Sequence, residues 1–221
     1  MTIWRLVGIS DKQFLVVKCY ASFGLILIRI IWLSAKPKDK KAMCWTGQCN
    51  WQVLGPFLVE GIMDQHVHRE MIEEKVWLLL KRSATKNQLY FMQGGATCHT
   101  IPSNLEFLLN KFNGRLISNK TDIARRIVPK LNWIDIAWPS NNPDLNHLDF
   151  FFWGHSMTYV FHCKLSTIDE LKQVVNDFAT SMDAKMIKKV CASARKRFVK
   201  MHEALRGHFF IFCYVSKLLI Y

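Results

Sequence analysis

Residues 142–154 read NPDLNHLDFFFWG. Two aspartates, Asp144 and Asp149, lead into three phenylalanines, a tryptophan and a glycine. Around and before this stretch, positions 115–148 are rich in Pro, Asn and Asp and read as irregular. Towards the N-terminus, residues 90–99 read YFMQGGATCH, where a short strand over 88–92 runs into Gly94-Gly95. Further upstream, residues 54–61 read LGPFLVEG and residues 29–37 read RIIWLSAKP. Downstream come TIDELK at 167–172 and Gly207-His208-Phe209. The stretches are scattered along nearly the whole chain, and their order matters as much as their content.

Composition sets the class. With 221 residues, half of them hydrophobic and 21% charged, the chain can bury one full-sized core and is not disordered in composition. Its net charge of +13 favours a polyanionic partner, of which nucleic acid is the commonest. Seven cysteines (19, 44, 49, 98, 163, 191, 213) include no C-x-x-C pair, and Cys44 and Cys49 stand too far apart for a usual zinc knuckle. His66 and His68 could share one face of a strand, but two ligands do not make a metal site. The thiols read as reduced ones in an intracellular protein. The segment FGLILIRIIWL at 23–33 is about half the length that spans a bilayer, and Arg29 interrupts it. Polar sequence precedes it and no small-residue cleavage site follows, so it is not a signal peptide. It reads as buried strand, and no membrane partner is expected.

The pass along the chain predicts strands first. Residues 3–9 form a strand ending at Ser10-Asp11, and β-like sequence follows at 14–17 and 25–33. KPKDKK at 36–41 is a solvated turn, and strands follow at 42–45 and 51–59. A helix over 67–81 carries Met71, Ile72, Val76 and Leu79 or Leu80 at helical spacing. Another, over 103–112, ends at Gly114, a suitable C-terminal cap. A helix beginning at Ser166-Thr167 has a capping box in Thr167 and Glu170 and an apolar stripe of Leu171, Val174, Val175, Phe178 and Met182. The last helix puts Ile187, Val190, Ala194 and Phe198 on one side. It carries Lys185, Lys188, Lys189, Arg195, Lys196, Arg197 and Lys200 largely elsewhere. That basic side is either a solvated face or one that contacts the phosphates of nucleic acid. The order predicts an α/β chain, a mixed sheet flanked by helices.

The quoted stretches resemble a family. NPDLNHLDFFFWG looks like the signature S-P-D-L-x-P-L-D-F-F-L-W-G of Tc1/mariner superfamily transposases. LGPFLVEG looks like the family's G-P-F-F-V-E-G, and YFMQGGATCH like its F-Q-Q-D-G-A-P-P-H. RIIWLSAKP, TIDELK and Gly207-His208-Phe209 match smaller family stretches, all in the family's order. The resemblance implies an RNase H-like fold over residues 1–160, with 161–221 as the C-terminal helical part of the same domain. It implies DNA cleavage and strand transfer by three carboxylates (D-D-D or D-D-E) and two Mg2+ or Mn2+ ions. The cations flank the scissile phosphate, and hard cations need oxygen ligands with positions left for water and phosphate.

Carried over residue by residue, the first carboxylate corresponds to Asp11 and the third to Asp149. The second should follow Gln93, where this chain has Gly94, a residue with no ligand atom. Asp11 also reads as a strand-end turn residue, and Asp144 as a turn residue within the signature. The tripeptide Asp122-Ile123-Ala124 recurs as Asp135-Ile136-Ala137, so an insertion near 122–137 accounts for a Gly94-to-Asp149 stretch longer than the family's. His147 replaces a signature proline. No helix-turn-helix module of the family's kind is expected before the core, so sequence-specific recognition is not expected either. The expectation is a nuclear, transposable-element-derived protein that binds DNA non-specifically through its basic helix and has lost cleavage. Its metal site is vestigial, Asp11 and Asp149 alone, so it needs Mg2+ by ancestry and conceivably no cofactor now. A homodimer remains open. The alternatives are a still-active Mg2+-dependent endonuclease, and an interaction protein or decayed reading frame without activity.

Overall fold

The structure is a computed structural model and describes residues 25–34, 41–49, 52–59, 61–83, 86–118, 126, 143–163 and 165–203. The strand expectations at 3–9 and 14–17, Asp11, both Asp-Ile-Ala copies and Gly207-His208-Phe209 lie outside the described residues. One five-stranded sheet runs in the order β3-β2-β1-β4-β5. At its centre is β1 (Leu25–Ser34), whose sequence LILIRIIWLS has the almost unbroken apolar run that suits a strand covered on both faces. It pairs antiparallel with β2 (Lys41–Cys49), which pairs antiparallel with the edge strand β3 (Gln52–Val59). On its other side β1 pairs parallel with β4 (Tyr90–Met92), which pairs parallel with β5 (Leu116–Ile117). The β2–β3 ladder slips between Trp45 and Gly47, opposite Gly55-Pro56. Gly55 adopts φ +87, and a Cβ there would come within 2.8 Å of the Phe57 nitrogen.

Strand alternation divides the core into two layers. Met43, Trp45, Phe91 and Leu116 belong to one, while Cys44, Tyr90, Met92 and Ile117 belong to the other. The first layer is completed by α1 (Gln65–Glu70), the π-helix π1 (Met71–Val76), α2 (Trp77–Leu80) and α4 (Pro102–Lys111), the last preceded by the short α3 (Thr97–Thr100). Asp64 caps α1, its Oδ1 accepting from His66 N at 2.8 Å and Val67 N at 2.9 Å. The helix α4 closes as expected at Gly114 (φ 77), whose N–H donates to Leu109 O at 2.8 Å.

The second layer holds the π-helix π2 (Leu148–Trp153), α5 (Gly154–His162), α6 (Ile168–Thr180) and α7 (Ala184–Glu203). The capping box of α6 is formed: Thr167 Oγ1 accepts from Glu170 N at 3.1 Å, and Glu170 Oε2 accepts from Thr167 N at 3.1 Å. Both α6 and π2 pack against β1, so the C-terminal helices share the sheet's core.

Three differences from the sequence reading have physical reasons. The 67–81 helix appears at 65–80, with a π-helical middle. Residues 116–117, read as irregular, form β5, too short for any alternation to show. Residues 148–162 are helical although no element was expected there. Phe150, Phe151, Phe152 and Trp153 are all buried, and a helix apolar all round shows no 3.6-residue period. Among the described residues, no helix is long and apolar enough to cross a membrane.

Candidate active site

Strand β4 delivers Gln93 and Gly94 to the end of the sheet. Gln93 is buried and continues the ladder, its N–H donating to Ile117 O at 3.0 Å. Its Nε2 donates to His99 O at 2.9 Å and to Ser118 Oγ at 3.2 Å. His99 Nδ1 lies 3.1 Å from Gly94 O, so that nitrogen carries the proton and donates to the carbonyl. Gly94 is thus held by its backbone, yet a Cβ built on it meets nothing within 4 Å.

Beneath this turn the His68 ring lies tilted against that of His99, centroids 4.7 Å apart. The expectation that His66 and His68 share a strand face is corrected: both lie on α1, with His66 exposed and His68 buried. Burial, and then the charge of neighbouring His99, push the His68 pKa down to about 3. This Gln93–His99–Ser118 network was not foreseen. Its one sequence signal was His99 itself, inside the quoted YFMQGGATCH.

Asp149 stands in the first turn of π2, half-buried. Its N–H donates to Asn146 O at 2.9 Å, while Asn146 Oδ1 accepts from Leu148 N at 2.9 Å. The next four residues drive into the core that holds Tyr90 and Met92, and π2 packs against β1. So Asp149 leads into the side of the sheet that carries Tyr90, Met92 and Ile117. The central strand LILIRIIWLS contributes no Asp or Glu. Among the described residues, no group of three His, Cys, Asp or Glu could hold a metal ion.

Against solved structures, the chain is similar to the catalytic domain of the Mos1 mariner transposase, at 11% identity and TM-score 0.67, over 95% of this chain and 97% of that one. A structure of that domain with Mn and raltegravir gives TM-score 0.66 at 13% identity, over 95% and 98%. The Mos1 paired-end complex with Mg gives TM-score 0.65 at 11% identity, covering 95% of this chain and 64% of that one. The chain has the fold of the mariner transposase catalytic domain. Its β3-β2-β1-β4-β5 sheet, helical on both faces, is accordingly RNase H-like, as the resemblance implied. No protein-family model matches the sequence, and neither does any curated protein.

Among the described residues, Asp149 is the one carried-over carboxylate, too few oxygen donors for a pair of divalent cations. Of the two carried-over carboxylates, Asp149 is in the described sheet-and-helix frame and Asp11 lies outside it. The second position is Gly94, with open space where a side chain would stand.

The basic helix of this mariner-type fold divides differently from expectation. Lys185, Lys188, Lys189, Lys196 and Lys200 are exposed along α7. The Arg195 side chain lies outside the described residues. Arg197 is a correction: it is buried, 6% exposed, with its guanidinium 3.9 Å above the Phe150 ring and 3.8 Å from Asp144 Oδ1. A cation spent on an aromatic face and a carboxylate is not presented to phosphates. It ties α7 to the signature turn instead.

Proposed function

We propose that this chain is a transposase-derived domain that engages DNA in the nucleus without reading its sequence, and does not cut it. One observation carries the proposal: β4 of a mariner-type sheet runs through Gln93 into Gly94, so the position that would share a metal with Asp149 offers no side-chain oxygen. A two-cation mechanism needs each cation held while leaving room for water and phosphate. Asp11 and Asp149 leave the family's set of three one carboxylate short. The net charge of +13 and the likeness to Mos1 transposase structures, one of them a paired-end complex with a transposon end, support DNA as the partner.

The test is conversion of supercoiled plasmid to nicked circle in Mg2+ and in Mn2+, by the wild type and by Asp149→Ala. Neither protein is expected to nick. Metal-dependent nicking by the wild type that vanishes in Asp149→Ala would overturn the proposal and make the chain a working endonuclease. A fluorescently tagged chain spread evenly through the cell would remove the nuclear assignment.

A further inference from the structure

The exposed side of α7 is unusual in what it lacks. Its described, exposed side chains are Ala184, Lys185, Lys188, Lys189, Ala192, Lys196 and Lys200. A merely solvated helix face normally mixes acids with bases at (i, i+4) spacing, which stabilises the helix. Here Lys185 faces Lys188 and Lys189, and Lys196 faces Lys200, so like charges adjoin at (i, i+3) and (i, i+4) and oppose the helix. The inner side is committed elsewhere. Ile187, Val190 and Ala194 are buried, Gln48 Nε2 donates to Cys191 Sγ at 3.7 Å, and Arg197 sits on Phe150. The lysine face therefore cannot rotate inward.

At helical spacing, Lys185, Lys189, Lys196 and Lys200 fall in one narrow stripe, with Lys188 beside it. From the first to the last, the stripe runs roughly 22 Å at 1.5 Å per residue, comparable to about six base-pair steps of duplex. Among the described exposed residues of α7 there is no aromatic side chain of the kind on which single-stranded bases stack. Nor is there, among them, an apolar side chain larger than alanine of the kind a bilayer interface buries.

We infer that the outer face of α7 is a duplex-DNA surface on which Lys185, Lys188, Lys189, Lys196 and Lys200 contact phosphates alone. This rests on the DNA reading above and assigns its contacts to one helix face. Phosphate contacts release counterions, so binding must weaken steeply with salt, by about 0.9 of a decade per decade for each contact.

The experiment is anisotropy of a labelled mixed-sequence duplex of about 20 base pairs, titrated between about 50 and 200 mM salt. The proteins are the wild type and the fivefold variant Lys185→Gln, Lys188→Gln, Lys189→Gln, Lys196→Gln, Lys200→Gln. Five contacts predict that wild-type affinity falls about 500-fold across that range. The variant should bind weakly and almost independently of salt, with unchanged helical circular dichroism. Should it not fold, Lys189→Gln with Lys196→Gln is expected to lower the salt slope by about two. Equal binding and slope in wild type and variant would overturn the inference and leave the DNA reading standing. A wild type that binds no duplex at any salt would overturn both. Tighter binding to phosphatidylserine vesicles than to duplex would overturn the choice of DNA for this face.

Discussion

Gly94 is the residue on which the proposed loss of cleavage rests, and its surroundings make a sharp forecast. Glycine there answers no steric need, because a Cβ meets nothing within 4 Å. Gly94→Asp is therefore expected to shift stability by no more than about 0.5 kcal/mol, the range of an ordinary surface change, in a thermal or urea melt. Mn2+ should leave the wild-type melting temperature unchanged and raise that of Gly94→Asp, because a ligand that binds only the folded chain stabilises it. A wild type that also responds would mean that oxygen donors other than Gly94's neighbours complete the site. A second forecast concerns two buried imidazoles. His68 and His147 both have pKa values lowered from 6.5 to about 3, His147 by burial alone. A depressed histidine stays neutral in the fold while the unfolded chain takes up the proton, so stability present above pH 6.5 is lost progressively as pH falls towards 3. Melting temperatures across that window should fall in the wild type and fall less steeply in His68→Gln. Identical slopes would exclude His68 as a source of the loss.

Among the elements, those with a one-sided apolar pattern were legible and those without one were not. The stripe of Leu171, Val175 and Phe178 is buried as the periodicity requires, and the capping box forms from the same two residues, Thr167 and Glu170, that announce it. Thr167→Ala should cost about 1 kcal/mol, read in urea denaturation, because Glu170 N–H loses the hydroxyl it donates to. No change would mean that the N-terminal turn of α6 is held by packing alone. The run Phe150–Trp153 gave no such signal, being buried on every side. Of the candidate site, motif order singled out Asp149 and Gly94 as positions, without assigning their surroundings. The network beneath them was not legible, since Gln93 and Ser118 meet only because β4 and β5 lie side by side. Arg197 misled for a related reason: a basic residue in a basic helix looks like its neighbours until Phe150 is seen beneath it.

For the whole molecule, the sheet separates two cores that share no residue. Trp45 fills one and Phe152 the other, both fully buried. Trp45→Ala and Phe152→Ala should each cost about 3–5 kcal/mol through lost transfer energy and an unfilled cavity. Without shared partners the two losses should add. Since a domain of this size has about 5–15 kcal/mol in total, the double variant should show no cooperative melt. A double variant no less stable than either single one would mean that the two layers do not rest independently on the sheet. The places of β4 and β5 in the sheet were not legible in the sequence, because strands of three and two residues are too short to show alternation.

The interrupted edge strand β3 has a consequence for solubility. An exposed edge is a template for another copy of the same chain, and fifteen phenylalanines and eight tryptophans would reward such pairing. Pro56 has no N–H to offer, and the ladder slips beside it, so an incoming strand meets two short pieces, Gln52–Leu54 and Phe57–Val59, rather than one continuous edge. The opposite edge, β5, is only two residues long. Among the described residues, both ends of the sheet are thus poor seeds for cross-β growth.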